Sequence, residues 1–174
     1  KVLIIIPAHN EEKRISKTLE EYGKFFRDLK NNDILDFEIL VVINNSNDRT
    51  EELVKKFIKK YSEISYLNFK EGGKGFAIIE GFKEALKRKS DLIGFVDADM
   101  ATSPQAYYEL IKNLSNYDGI FASRYVKGSV VNPKQSVQRI IASRVFNFLI
   151  RTMFFMKYKD TQCGAKLFRT KAIE

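Results

Sequence analysis

Short apolar runs alternate with amphipathic segments along the first half of the chain. We predict a strand at each of four apolar runs, which span residues 2–6, 38–43, 64–68 and 92–96. Between the first two runs, apolar side chains recur at helical spacing at Ile15, Leu19 and Tyr22. Strands that alternate with helices are typical of a mostly parallel sheet with helices on both faces. The pattern therefore predicts an α/β fold.

Polar residues indicate where the predicted helices begin. We expect Asn10 to cap the first helix, and Ser103 followed by Pro104 to start the helix after the fourth strand. Further helices are predicted over residues 50–61 and 107–114, and a fifth strand over residues 119–122.

Residues 135–156 form a helical pattern that is unusually apolar but is interrupted by Arg139, Arg144 and Arg151. Such a segment carries too much charge to span a bilayer. Two interpretations stay open. The segment packs on the protein core as an apolar helix pair, or it lies in the interface of a membrane with its basic residues toward lipid phosphates.

Length and charge restrict the function further. The chain has 174 residues, which suits a single domain over residues 1–174, and we expect the natural chain to continue beyond Glu174. A net charge of +8 favours polyanionic partners such as nucleotide phosphates, nucleic acid or an anionic membrane. One cysteine, Cys163, excludes an internal disulfide, and one histidine, His9, argues against a histidine metal centre.

Candidate chemistry lies at the predicted carboxyl ends of the strands, where ligands of open α/β sheets bind. The fourth run leads into Asp97-Ala98-Asp99, whose hard carboxylate oxygens suit Mg²⁺ or Mn²⁺. The two carboxylates point the same way if the strand continues, or approach one ligand from two sides if the chain turns at Ala98. The other motifs are Pro7-Ala8-His9-Asn10-Glu11, the polar turn from Asn44 to Thr50, Ser123-Arg124-Tyr125, and a glycine loop at residues 71–75 that contains Lys74.

In this order, the motifs resemble the family 2 glycosyltransferases of the GT-A fold. Arg139-Ile140-Ile141-Ala142-Ser143 and the run from Asp160 to Phe168 are similar to motifs of polyprenyl-phosphate sugar transferases, in particular dolichyl-phosphate beta-glucosyltransferases. The resemblance covers essentially the whole chain. It implies a Rossmann-like GT-A domain and an inverting enzyme that moves a hexose from a nucleotide diphosphate sugar, with UDP-glucose favoured, to a polyprenyl (dolichyl) phosphate. It also implies action at the cytoplasmic face of a membrane and no nucleic acid partner.

The resemblance also implies roles for individual residues. Asp97 and Asp99 would hold the Mg²⁺ or Mn²⁺ ion, with Asp99 as the direct ligand and Asp97 nearer the ribose. The residues implied in catalysis are Asp99, Arg124, Arg139 and Asp160. The residues implied in binding the donor and its surroundings are Pro7, Asn10, Glu11, Asn44, Ser46, Asp48, Lys74, Asp97, Ser143 and Gln162. Among these, Arg139 and Ser143 would share the acceptor phosphate, and Asn44 would contact the uracil or ribose.

Two departures from the family pattern bear on specificity. Asn44 stands where many members have an aspartate, which changes nucleotide preference or weakens activity. Ala101 stands where some mannosyl members have a glutamine ligand, which favours the glucosyl branch or weaker metal binding. Three alternatives remain: transfer to a saccharide hydroxyl with Asp160 as the base, a sugar-phosphate nucleotidyltransferase, and a noncatalytic nucleotide-binding domain. The glycine- and arginine-rich opening loop expected of a nucleotidyltransferase is not present at residues 7–11.

Overall fold

The computed structural model describes residues 1–123, 137–155, 160 and 163–174, with the backbone alone described for residues 137–142. The strands in this part of the chain are β1 (Val2–Ala8), β2 (Phe37–Asn44), β3 (Ile64–Phe69), β4 (Leu92–Phe95), β5 (Gly119–Phe121) and β6 (Lys166–Arg169). The α-helices are α1 (Ile15–Asn31), α2 (Thr50–Lys60), α3 (Lys74–Lys87), α4 (Pro104–Asn113) and α5 (Val137–Met153). A 3-10 turn, Thr170–Ala172, follows β6.

The strands form one sheet in the order β3-β2-β1-β4-β6-β5. Neighbouring strands among β1, β2, β3 and β4 run parallel, and β6 pairs antiparallel with both β4 and β5. The predicted mostly parallel α/β sheet is therefore confirmed, and its fifth strand is found at nearly the predicted place. Strand β6 was not predicted from the pattern. The strand order changes direction between β1 and β4, where α/β sheets open a crevice for ligands.

Side chains of β1 alternate between two apolar cores because successive strand residues point to opposite faces of a sheet. Ile4 and Ile6 pack on the face that also buries residues of α1, α2 and α4. Leu3 and Ile5 pack on the other face, against α3. Every residue of β1 is buried. Burial on both faces explains why the strand is a continuous apolar run rather than an alternating one.

The two predicted helix starts have different outcomes. At α4, the Ser103 hydroxyl accepts a hydrogen bond from the Ala106 amide at 3.2 Å, which confirms the predicted cap. The capping prediction for Asn10 is wrong, since α1 begins at Ile15 and its cap position is Arg14. Asn10 instead has a φ of 53° and directs its side chain to the neighbouring loop. A polar contact between loops therefore takes the place of a helix cap.

The apolar side chains described on helix α5, from residue 143 onward, are largely exposed. Among the side chains described between residues 143 and 155, only Asn147 is buried. The exposed apolar residues of this segment are Val145, Phe146, Phe148, Leu149, Met153, Phe154 and Phe155. The described side chains of residues 143–155 are therefore mostly not packed in the core, and the two interpretations of the whole segment stay predictions. In the described part of the chain, no helix has the length and hydropathy needed to cross a membrane.

Candidate active site

A cavity of about 520 Å³ opens at the carboxyl ends of β1, β2 and β4. This is the edge and the switch point at which ligands of open α/β sheets bind. The described residues that line it are Pro7, His9, Glu11, Asn44, Asn45, Gly72, Gly73, Lys74, Asp97, Ala98 and Asp99. Parts of four predicted motifs therefore meet in one place, because each follows a parallel strand that ends at the same edge.

The two aspartates reach the cavity through a turn rather than along a continuing strand. Strand β4 ends at Phe95, and the turn is anchored at Ala98, whose carbonyl accepts a hydrogen bond from the buried Thr18 hydroxyl at 2.7 Å. Asp99 is exposed, and its Oδ1 accepts from the Ala101 amide at 3.0 Å. The structure thus favours the second of the two geometries considered for this motif, in which the chain turns at Ala98.

Lys74 closes the cavity on the side of α3. It is the first residue of that helix, and its ammonium forms an ion pair with Oδ1 of Asp97. Gly164 also lies against Asp97, and an added Cβ there would overlap the carboxylate. Asp97 thus lies against both a cation and a backbone that must lack a side chain.

The carboxylate oxygens at this edge suit a divalent cation that would also be bound by a diphosphate. Asp97 and Asp99 both line the cavity. No group of three or more histidine, cysteine, aspartate or glutamate side chains suited to a metal occurs in the described part of the chain. A complete protein cage is therefore not found there. Mg²⁺ commonly binds through one or two carboxylates while keeping positions for phosphate oxygens and water, and Mn²⁺ accepts similar ligands.

Asn10 joins two loops, which we call the loop pair and define as residues 9–12 and 45–50. Its backbone nitrogen donates to the Ser46 hydroxyl at 3.1 Å. Its side-chain oxygen accepts from the backbone nitrogen of Asn47 at 2.9 Å. Asn10 and Ser46 therefore bond to each other's loops, and neither is among the described residues that line the cavity.

Asp48 and Thr50 continue the same connection. Asp48 Oδ2 accepts from the Glu12 amide at 3.0 Å, and Thr50 Oγ1 accepts from the Glu11 amide at 2.8 Å. Asp48 Oδ1 also accepts from the amide and the hydroxyl of Thr50, at 3.0 and 2.5 Å. Desolvation by burial raises the pKa of Asp48. The hydrogen bonds lower it by more than burial raises it, so the pKa of Asp48 lies below its ordinary value. The carboxylate is stabilised in its charged form.

His9 also lines the cavity, although the sequence argument did not select it. Its Nδ1 lies 2.8 Å from the carbonyl oxygen of Asn44, and its Nε2 lies 3.4 Å from the Asn10 side-chain nitrogen. A carbonyl oxygen accepts but does not donate, so Nδ1 carries the proton. The one feature of the sequence that could have indicated His9 as a cavity residue is its place in the motif of residues 7–11. Asn45, Gly72 and Gly73 were likewise not selected.

Asn44 is buried, with 2% of its surface exposed. When its amide is oriented to satisfy its neighbours, the nitrogen donates to the Ala8 carbonyl and the oxygen accepts from the Gly73 amide, each at 3.1 Å. Both polar ends of the predicted nucleotide-contacting side chain are therefore engaged by the backbone.

The described residues that line the cavity include none of the other predicted residues. Asp160 is fully buried and is not among the described residues that line the cavity. Ser143 lies on α5, where its carbonyl accepts from the Asn147 side chain at 3.0 Å. Arg124 and Gln162 lie outside the described residues, as does the side chain of Arg139. The structure thus gathers Pro7, Glu11, Asn44, Lys74, Asp97 and Asp99 of the predicted set.

Comparison of the chain with known proteins shows the family to which it belongs. A sequence profile described as Glycosyl transferase family 2 matches residues 3–174. The chain belongs to that family. A dolichyl-phosphate beta-glucosyltransferase of Trichomonas vaginalis is 34% identical over 97% of the chain and 51% of its own length. The corresponding protein of Dictyostelium discoideum is 32% identical over 95% of the chain and 53% of its own length. The chain therefore spans about half the length of these relatives.

Solved structures place the fold in the GT-A class of this family. Glucosyl-3-phosphoglycerate synthase from Mycobacterium tuberculosis, in complex with Mn²⁺, UDP and phosphoglyceric acid, matches with a TM-score of 0.65 and 19% identity over 98% of the chain and 56% of its own. A mannosyltransferase from Pyrobaculum calidifontis, in complex with GDP-Man and Mn²⁺, matches with a TM-score of 0.62 and 18% identity over 99% of the chain and 45% of its own. At these identities the likeness shows the fold alone, and the predicted GT-A fold is confirmed.

Proposed function

We propose that the protein transfers a hexose, with inversion, from a nucleotide diphosphate sugar to a polyprenyl phosphate of the dolichyl type. UDP-glucose is the favoured donor. The observation that carries this proposal is the cavity at the ends of β1, β2 and β4, which combines Asp97, Asp99 and Lys74 in a chain whose relatives include dolichyl-phosphate beta-glucosyltransferases.

The charges of the cavity suit a departing nucleotide diphosphate. Asp97 and Asp99 would hold Mg²⁺ or Mn²⁺, which stabilises the negative charge that develops on the leaving diphosphate. Lys74 is exposed, and its side chain extends from the start of α3 to Asp97. From there it would bind a donor phosphate when the carboxylate is engaged elsewhere. Arg124 and Arg139 remain proposed contacts of the donor and acceptor phosphates, because a guanidinium group matches phosphate oxygens.

The acceptor is proposed on chemical grounds. A phosphate monoester is already anionic at neutral pH, so it needs orientation and charge screening more than a general base. A sugar hydroxyl would instead need a base. Asp160, the carboxylate considered for that role, is fully buried. The geometry of the described residues therefore favours a phosphate acceptor.

Helix α5 supplies a surface for a lipid-linked acceptor. Its exposed apolar side chains include Phe146 and Phe148, Phe155 just after its end is exposed too, and Arg144 and Arg151 on the helix are exposed as well. Aromatic and basic side chains together favour the interface of an anionic membrane. We propose that this helix brings the cavity to the cytoplasmic face of the membrane, where the lipid phosphate lies.

A transfer assay tests the proposal. The protein is incubated with radiolabelled UDP-glucose, UDP-galactose, GDP-mannose or UDP-N-acetylglucosamine, with membranes that contain polyprenyl phosphate and with Mg²⁺ or Mn²⁺. We expect label in the lipid fraction, most of it from UDP-glucose, and loss of that label when EDTA is added. Membranes without the lipid phosphate are the control.

Two results would contradict the proposal. Label that appears on a free sugar but not on the lipid would assign the protein to the transferases that use a saccharide hydroxyl. Nucleotide binding without turnover of any donor would assign it to the noncatalytic binding domains.

A further inference from the structure

Asn44 connects two parts of the cavity that belong to different elements. Ala8 is the last residue of β1, and Gly73 lies in the glycine loop that precedes α3. The Asn44 amide group lies between them, donating to the Ala8 carbonyl and accepting from the Gly73 amide, each at 3.1 Å. With 2% of its surface exposed, the side chain makes these bonds away from solvent. Buried hydrogen bonds of this kind are costly to leave unmade.

The chemistry of the two partners requires an amide at this position. The Ala8 carbonyl only accepts a hydrogen bond, and the Gly73 amide only donates one. An asparagine side chain has one group of each kind and satisfies both partners. An ionised aspartate has the same shape but no donor, so one of its oxygens would face the Ala8 oxygen without a proton between them.

The glycine loop depends on this contact for its position. Gly73 has a φ of 117°, a conformation that residues other than glycine rarely adopt. The next residue, Lys74, starts α3 and reaches across the cavity to Asp97. Fixing the Gly73 amide therefore fixes the point from which the Lys74 side chain extends. The backbone of Asn44 is itself held, because its carbonyl accepts from Nδ1 of His9 at 2.8 Å.

We propose that Asn44 is a positioning residue that ties the glycine loop to the end of β1 and thereby places Lys74 at the cavity. The effect on nucleotide binding rests on the proposed function, whereas the tie between Asn44 and Gly73 does not. This role replaces direct contact of Asn44 with the uracil or ribose, the role that the family resemblance implied.

The first test measures the Gly73 amide in the protein without nucleotide. Asn44→Asp exchanges one nitrogen for oxygen. The carboxylate can still accept from the Gly73 amide, but the Ala8 carbonyl oxygen repels it, and we expect the resulting displacement to make the Gly73 amide exchange with deuterium about tenfold faster than in the parent at neutral pH, as for the loss of one net hydrogen bond. In acid the introduced carboxyl is protonated and regains a donor. This occurs below the ordinary carboxyl pKa of ~3.9, or at a somewhat higher pH if burial raises that pKa. The ratio to the parent at equal pH should then return toward one.

Two variants control for other causes. Asn44→Ala removes both bonds and adds no charge, so its faster exchange should not recover in acid. Asn32→Asp makes the same chemical change at the end of α1, where the amide also donates to a backbone carbonyl, that of Asp28 at 2.7 Å. It should leave Gly73 exchange and nucleotide affinity as in the parent.

The second test couples Asn44 to Lys74. UDP affinity is measured for the parent, Asn44→Asp, Lys74→Gln and the double variant. If Asn44 acts by placing Lys74, Asn44→Asp weakens UDP binding about tenfold in the parent but has little further effect beside Lys74→Gln. A side chain that only supported the fold would weaken binding equally in both backgrounds.

Two results would overturn the positioning role. One is unchanged Gly73 exchange in both Asn44→Asp and Asn44→Ala, and the other is additive losses of UDP affinity. Unchanged exchange together with weaker binding of uridine would return Asn44 to contact with the nucleoside. If the parent binds no UDP, the proposed function fails, while the exchange measurement still decides whether Asn44 holds the loop.

Discussion

The loop pair and helix α5 differ in whether their characteristic side chains make contacts within the described fold. In the loop pair, Asn10, Ser46 and Asp48 bond to backbone groups across the two loops. In α5, apolar side chains such as Phe148 are exposed, and 64% of Phe148 is accessible. Polar residues of a motif therefore connect two loops in one region, while apolar residues are exposed in the other. Residue type alone therefore does not show which side chains the fold bonds or buries.

The largest effect on sugar transfer is expected from replacing Asp99, an exposed carboxylate at the cavity. Asp99 is exposed and makes one described hydrogen bond, from the Ala101 amide at 3.0 Å. Asp99→Asn should lower metal-dependent sugar transfer by about a hundredfold or more, since it removes charge from the proposed cation site. The unfolding temperature should not change, because the side chain contributes charge rather than packing.

Asp97→Asn is the matched variant for Asp99→Asn. It should lower transfer less, because Asp97 is proposed to lie nearer the ribose and is already paired with Lys74. Equal transfer by the parent and Asp99→Asn at limiting Mn²⁺ would remove Asp99 from the cation site.

A smaller effect is expected at the exposed apolar surface formed by α5 and the two residues that follow it, Phe154 and Phe155. Phe155 is 89% exposed, and Phe155→Ser should weaken co-sedimentation with anionic vesicles about tenfold, as for partial burial of one phenylalanine in the interface. Stability should be unchanged. Higher salt should weaken the binding of parent and variant alike, because Arg144 and Arg151 add an electrostatic attraction that salt screens.

A buried phenylalanine gives the contrasting case. Phe26 on α1 is fully buried and stacks on Tyr22 at a centroid distance of 5.9 Å. Phe26→Ser should lower the free energy of unfolding by about 3–5 kcal/mol. If Phe155→Ser lowers stability to a similar extent, or if the parent ignores anionic vesicles at low salt, α5 is not a membrane-binding surface.

The smallest effect is expected in the loop pair. Asp48→Asn should lower the free energy of unfolding by about 1–2 kcal/mol at neutral pH, because an amide nitrogen then faces a backbone donor. Since the folded pKa of Asp48 lies below its unfolded value, its contribution is complete above about pH 4 and is lost as the pH falls through the folded pKa. Urea unfolding should therefore show a difference that shrinks in acid.

Asp28→Asn serves as the control for Asp48→Asn, because Asp28 is an exposed aspartate on α1. It should change neither the stability nor its dependence on pH. A difference between the parent and Asp48→Asn that stays constant down to about pH 2 would show that the Asp48 carboxylate is not the source of the stabilisation.

Most of the fold could be predicted because its central strands β1, β2 and β4 are largely buried on both faces. Strands β1, β2 and β4 appear in the sequence as continuous apolar runs. Strand β6 has four residues, Lys166–Arg169, and obtains its conformation by pairing with both β4 and β5. Such pairing depends on residues far away in the chain, so the local pattern of β6 carries little signal.

The candidate site was predictable to the extent that its residues follow strand ends. Asp97, Asp99 and Lys74 meet because parallel strands end at one edge. The local pattern could not reveal that Asn44 bonds to Ala8 and Gly73, because that contact forms only when β1, β2 and the glycine loop come together. The predicted roles of Arg124, Arg139 and Gln162 remain predictions.

The central claim is that the cavity at the ends of β1, β2 and β4 is the donor-nucleotide site. Calorimetric titration of the purified protein with UDP, with and without Mn²⁺, tests it most directly. The account predicts that Mn²⁺ tightens UDP binding and that Asp99→Asn removes this gain. UDP affinity that is the same with and without Mn²⁺, and the same in parent and Asp99→Asn, would contradict it.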